Sequence, residues 1–304
     1  MSKQTLYILG ILATIILGAI LYPKFCCKDC CEAKAENPVP ISKNNEIGSS
    51  AIFKLTGNDF DYSCNDNFRF LSNGFNNIQP VSDSINSGID LLKRFFDKQT
   101  NEKLLITGYA LNTEKNTSAF PNLGMARAND VKNYFVSKGF VANRFETSGE
   151  LREEWKVSND TVYGAVSFTI KHNENATASN TTEDWNALKE KITANPLVLY
   201  FNTNQTEISL TSEERQKIAD LSRYLDNVPS AKISCTGHSD SSGNRDVNIK
   251  LGQKRADFAK NYLAKNGISS DKIESSSKGQ DEPIADNRTA EGKSKNRRTV
   301  ITLK

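Results

Sequence analysis

This chain carries one pattern of residues twice, and whatever fold it adopts has to accommodate both copies. Leu104-Leu105-Ile106-Thr107-Gly108 is echoed by Lys232-Ile233-Ser234-Cys235-Thr236-Gly237, and Asn122-Leu123-Gly124-Met125-Ala126-Arg127-Ala128 by Lys250-Leu251-Gly252-Gln253-Lys254-Arg255-Ala256. Lys132-Asn133-Tyr134-Phe135 then answers Lys260-Asn261-Tyr262-Leu263, and Gly139 falls opposite Gly267. Likeness kept in order over such a length points to an internal duplication. Two domains of one architecture are expected, and 304 residues leave room for both plus connecting segments.

The second copy is the easier to read. Leu197 to Phe201 is a short apolar run suited to a buried strand, and Thr211-Ser212-Glu213-Glu214 is a capping-type start for a helix. Ile218, Leu221 and Leu225 recur at helical spacing, and Pro229-Ser230 break the pattern before a strand from Ala231 to Thr236. A second helix, from about Asp246 to Asn266, is expected to turn Leu251, Phe258, Ala259, Tyr262 and Leu263 to the core and to stop near Gly267. Strands near Lys272 to Ser277 and Arg298 to Leu303 complete the unit, and the polar stretch between Lys278 and Asn296 reads as a solvated loop. The fold class is therefore α/β, an α+β sandwich in which each βαβαββ unit packs helices on a mixed sheet.

Ahead of these units, Leu6 to Tyr22 is almost wholly apolar and long enough to cross a bilayer as a helix. Tyr22-Pro23-Lys24-Phe25 lacks the small residues of a signal-peptidase site and is no lipoprotein acylation box, so one uncleaved transmembrane helix is expected. Lysines on both sides leave its orientation open. Cys26, Cys27, Cys30 and Cys31 follow directly. They are placed to form disulfides, to chelate a soft metal, or to cross-link two chains as a homodimer; without a second, distant pair a structural zinc site is incomplete. Cys235 lies in an apolar strand pattern and reads as a buried free thiol. The expected organisation is an anchor over 1–24, a polar tether over 25–50, a first domain over 51–171, a linker over 172–190 and a second domain over 191–304. A net charge of +3 spread over 39 basic and 36 acidic residues shows no basic stripe for nucleic acid.

The chemistry concentrates in Gly237-His238-Ser239-Asp240-Ser241-Ser242-Gly243, which leads into Asn248 and Arg255. Asn248 and Arg255 are seven residues apart, close to two helical turns, and share one stripe. A loop carboxylate and a helix guanidinium facing one space without neutralising each other make a receptor for a free amino acid centre. The acid accepts from the ammonium, and the planar guanidinium takes the carboxylate through parallel bonds. Together with Lys278-Gly279-Gln280, Pro283 and Asn296-Arg297-Arg298, the pattern resembles the OmpA-like peptidoglycan-binding domain of OmpA, Pal and MotB-type proteins, over roughly Asn195 to Lys304.

The resemblance implies that Asp240 and Arg255 grip the diaminopimelate of peptidoglycan stem peptides and that Asn248 supports the loop or the ligand. It likewise implies that Arg297 is a second binding arginine and that Asn202 and Thr203, with Ser242, border the pocket. Arg298 reads as a partly buried support at a strand start. The competing reading, in which Asp240 caps a helix turn and Arg255 simply pairs with it, leaves the rest of the motif without a use.

His238 has no serine or cysteine nucleophile to serve, so it is assigned to loop packing; no catalytic residue, metal site or cofactor is expected. The first copy keeps Arg127 but offers Leu111 where Asp240 falls, Val162-Tyr163-Gly164 roughly where Asn296-Arg297-Arg298 fall, and a loop one residue longer. It is expected to keep the fold and lose diaminopimelate binding. Phe68, Phe70, Phe75 and Trp155 read as core by default, or as another surface. The expected protein is a non-enzymatic envelope tether, anchored in the inner or outer membrane with its domains in the periplasm. Rivals are a stator-like accessory, against which the absence of an acid in Leu6 to Tyr22 counts, and a periplasmic scaffold without wall binding.

Overall fold

The computed structural model describes residues 52–57, 59–155, 157–172, 185–202 and 209–304. The expected membrane span, the cysteine-bearing tether and Thr203 lie outside these residues. In chain order the first half holds β1 (Phe53–Gly57), β2 (Phe60–Cys64), β3 (Arg69–Leu71), α1 (Asp83–Lys98), β4 (Glu102–Leu111), α2 (Leu123–Ser137), β5 (Phe145–Arg152), β6 (Val157–Ser158), β7 (Thr161–Tyr163) and β8 (Val166–His172). The second holds α3 (Trp185–Ala194), β9 (Leu197–Tyr200), α4 (Ser212–Asn227), β10 (Ile233–His238), α5 (Arg245–Lys265), β11 (Ile273–Gly279), α6 (Ala290–Asn296) and β12 (Arg298–Leu303).

The fold is mixed α/β. One sheet runs β5-β4-β8 and the other β11-β10-β12-β9. In each, the central strand pairs in parallel with the strand that follows its helix and antiparallel with the last strand of the half. Parallel neighbours need a crossover, and α2 and α5 supply it. Thr211 and Glu214 form a reciprocal capping box at the start of α4. Gly139 and Gly267, at φ +91° and +95°, take the chain out of α2 and α5 in a conformation that L side chains rarely adopt. β1 and β2 form a hairpin of their own, and β3, β7 and β6 form a small third sheet.

The two cores differ in kind. The first is built on phenylalanines, among them Phe53, Phe68, Phe70, Phe135 and Phe168; the second on aliphatic residues such as Leu199, Ile218, Leu221, Ile233 and Ile301. Phe68 and Phe70 are thus core, and Phe75 is buried in a third cluster with Phe120 and Ala219 that joins the halves. Polar contacts reinforce that join: Lys132 pairs with Asp226, Ala119 N donates to Asn266 Oδ1 at 2.7 Å, and Asn133 Nδ2 to Gly267 O at 3.0 Å. All described residues fall in one compact unit, Glu46–Lys304.

Several details depart from expectation. His172 ends β8, and α3 begins inside the stretch read as linker; its Leu188 and Ile192, one turn apart, are buried in the second core. The polar stretch before Asn296 is no simple loop but ends in α6, capped by Thr289 on Gly292 N. Leu251 is only half-buried, whereas Gly252, Ala256, Ala259 and Leu263 of α5 are buried. Cys235 is a buried free thiol whose pKa burial pushes up to about 12. No described helix is long and apolar enough to cross a membrane.

Candidate functional site

The site begins where β10 and α5 touch. A Cβ on Gly237 would collide with the carbonyl oxygen of Gly252, so only glycine lets the helix lie this close to the strand. The approach carries Arg255, on the next turn of α5, beneath the end of β10. Its Nη1 donates to His238 O at 2.9 Å, and its guanidinium lies 5.5 Å from the centroid of the Phe201 ring. Arg255 is 0% exposed, yet its Nε and Nη2 have no hydrogen-bond partner. Burial lowers its pKa to about 10; Asp240 acts upward and Arg297 downward, and the group stays cationic at neutral pH. Buried donors left unmade cost about 1–3 kcal/mol, more when charged, so an acceptor at this edge, water or ligand, is stabilising.

Asp240 is held a short way off by different partners. Arg297 Nη1 donates to Oδ2 at 2.9 Å and Ser242 N to Oδ1 at 3.0 Å, while Arg297 Nε is fixed on Phe201 O at 3.2 Å. Burial pushes the Asp240 carboxyl upward, but the Arg297 and Ser242 hydrogen bonds outweigh it and the pKa falls below the ordinary aspartate value. The acid that the sequence set opposite Arg255 is therefore paired with Arg297, which keeps it ionised and leaves Arg255 open. The alternative of a simple Asp240–Arg255 ion pair does not describe this arrangement.

A polar frame fixes the loop. Asn248 Nδ2 donates to Ser242 O at 3.1 Å and to Gln280 Oε1 at 2.5 Å, so its role here is to clamp the Asp240 loop to the segment after β11. Asn296 is fully buried. Its Oδ1 accepts from Ile284 N and Ala285 N, and its Nδ2 donates to Ala285 O and Asn287 Oδ1. Asn287 Oδ1 in turn accepts from Ser241 N at 3.2 Å, which ties this segment to the Asp240 loop. Arg298 donates to Glu282 O and Asn296 O, as expected of a support. Ser242 is exposed and holds Asp240 through both its backbone and its side chain, and Asn202 lies exposed directly after Phe201.

His238 is buried with Nδ1 unpartnered. Burial first, then Arg298 and Lys278 against the opposing Glu282, lowers its pKa to about 4, so it is neutral at physiological pH. Phe201, Gln280 and Asn287 were not foreseen as site residues. Phe201 adjoins the expected Asn202 loop, but nothing in the sequence marks its ring as the floor under Arg255. The amides sit in polar surroundings where one asparagine looks like the next.

In the first half β4 runs on to Leu111, paired with Arg152, where β10 has already ended at His238. The position of Asp240 is thus still in the strand and carries a leucine. Val166 pairs with Gly108 as Thr299 pairs with Gly237, so Tyr163-Gly164-Ala165, one residue later than the sequence comparison gave, stand for Asn296-Arg297-Arg298.

Residues 200–297 match the family model described as OmpA family. The chain is 38% identical over 103 residues, 34% of its length, to the peptidoglycan-associated lipoprotein of Buchnera aphidicola, of which the match covers 58%. It is 31% identical over 126 residues, 41% of its length, to the peptidoglycan-binding protein ArfA of Mycobacterium tuberculosis, of which the match covers 37%. The crystal structure of the peptidoglycan-associated lipoprotein from Burkholderia pseudomallei aligns with 35% of this chain and 89% of that one, at 24% identity and a TM-score of 0.32.

Proposed function

From a carboxyl-terminal domain that is OmpA-like, we propose that the protein binds peptidoglycan non-covalently through the diaminopimelate of its stem peptides and tethers a membrane to the wall. The observation that carries the reading is the buried, unpaired edge of Arg255. Nε and Nη2 flank one side of the guanidinium plane, and a carboxylate meets two such donors with parallel charge-assisted bonds. Asp240 keeps acceptor capacity on both oxygens beyond its bonds to Arg297 and Ser242, enough for an ammonium. A free amino acid centre presents both charges on one carbon and spans the acid and the base together.

On this reading Asp240, Arg255 and Arg297 touch or orient the ligand, Asn248 holds the loop, and Asn202, Thr203 and Ser242 border the entrance. The span Leu6 to Tyr22 anchors the chain with its domains in the periplasm, and the juxtamembrane cysteines link chains. The first half, over 51–171, is a duplicated domain without this receptor; the shared strand order of the two sheets supports that descent. One zwitterion per domain gives modest affinity, and many copies in one membrane facing a polymeric wall bind by avidity.

Sedimentation with purified diaminopimelate-containing sacculi tests the assignment. The wild-type chain co-sediments, whereas folded Asp240→Ala and Arg255→Ala proteins stay in the supernatant. Equal sedimentation of all three removes the site.

A further inference from the structure

The first half keeps an arginine that its supposed loss of function leaves without a purpose. Arg127 follows Gly124 by three residues on α2 as Arg255 follows Gly252 on α5, and both are 0% exposed. Arg127 lies 5.3 Å from the Phe70 ring and Arg255 5.5 Å from the Phe201 ring. Each donates Nη1 to the carbonyl after the strand glycine, Tyr109 O at 2.8 Å and His238 O at 2.9 Å. The two guanidinium seats are built alike.

They differ in what fills them. Glu114 reaches Arg127 with both oxygens, Oε1 to Nη2 at 2.5 Å and Oε2 to Nη1 at 3.1 Å, and Gly74 O takes Nε at 3.0 Å. Glu114 belongs to the lengthened loop between β4 and α2, which replaces the loop that carries Asp240. Its own carboxylate is held in turn by Leu111 N at 2.8 Å and Asn73 N at 3.1 Å. Burial acts upward on its pKa, yet the Arg127 and backbone bonds prevail and keep it ionised.

We propose that Glu114 is a tethered ligand: its carboxylate occupies the Nη1–Nη2 edge of Arg127, whose Nε and Nη2 also meet Gly74 O and Leu71 O, whereas at Arg255 no acid is bound and Nε and Nη2 are left unpaired. The chain therefore has two buried guanidinium seats, one holding its own carboxylate and one with Nε and Nη2 unpaired. Removing the Glu114 carboxylate should turn the first half into a binding site for a free monocarboxylate anion. The geometry at Arg127 does not depend on what Arg255 binds, so the two readings fail separately.

The test is chemical rescue of the full-length Glu114→Ala protein by sodium formate, with sodium chloride at equal ionic strength as the reference. In chloride the variant melts roughly 5–10 °C below wild type, because a buried guanidinium has lost its anion. Formate is expected to restore at least half of that loss while moving wild type far less. The double variant Glu114→Ala/Arg127→Met is expected to show no formate-specific gain. If Glu114→Ala does not fold in chloride, the same comparison is read as refolding yield in formate over chloride. Glu114→Gln, whose amide still fills the seat, should be insensitive to formate. A Glu114→Ala protein that melts like wild type, or gains no more from formate than from chloride, overturns the proposal.

Discussion

Two arginines of equal burial should respond unequally to the same substitution. Arg127→Met removes the cation that balances Glu114 and strands a carboxylate whose side chain is 6% exposed, supported only by two backbone amides. Breaking a buried pair from one side costs about 3–5 kcal/mol. Arg255→Met removes two donors that have no partner, a relief of about 1–3 kcal/mol for each. Against this stand the lost bond to His238 O, about 1.5–3 kcal/mol for a charged donor, and the Phe201 contact, about 0.5–2 kcal/mol. The Arg255 terms nearly cancel, so Arg255→Met should lie within about 1 kcal/mol of wild type while losing wall binding, and the two variants should differ by at least about 2 kcal/mol. Urea unfolding of the full-length proteins at pH 7, with matching m values, reads the difference. Equal losses, or a larger loss for Arg255→Met, would refute the assignment of one arginine as occupied and the other as open.

Gly237→Ala should separate β10 from α5, lower stability by several kcal/mol and abolish sedimentation with sacculi; the matching Gly108→Ala, whose Cβ meets Gly124 O in the same way, should lower stability and leave a folded second half that still binds. His238 is buried neutral with its pKa moved from 6.5 to about 4 among Arg298, Lys278 and Glu282. The unfolded chain takes up that proton first, so stability should fall as pH drops from about 6.5 towards 4, and His238→Gln should flatten the decline in urea melts. The Asp240 carboxyl titrates below the ordinary aspartate value, so its contribution is present above that value and lost only as pH falls through the lower folded one. Wall binding should persist as pH is lowered through the ordinary carboxylate range.

What the sequence reveals of this molecule follows from how local each signal is. The strand glycine, the helix glycine and the arginine three residues on recur in both halves because close packing admits few substitutes, and they mark β4, α2, β10 and α5 clearly. Asp240, Arg255 and Arg297 are recognisable by type and spacing, yet their pairing is not, because which arginine takes Asp240 depends on how β12 is registered against β10. α3 is hard to read from sequence because its two buried residues, Leu188 and Ile192, follow a polar run, and α6 because only Gly292 and Asn296 of its short length are buried. Glu114 was invisible for a different reason. It lies three residues beyond the position of Asp240, in a loop of altered length, and no periodicity connects a loop acid to the helix base it will meet.

The central claim is that Arg255 receives a carboxylate, and one comparison isolates that group. A stem peptide with lysine in place of diaminopimelate keeps the side-chain ammonium and lacks only the carboxylate beside it. Calorimetric titration of the full-length chain with the two peptides should show one diaminopimelate site per chain and at least about tenfold weaker binding of the lysine form, the loss of a charge-assisted bidentate contact. Equal affinity for both peptides would contradict the account.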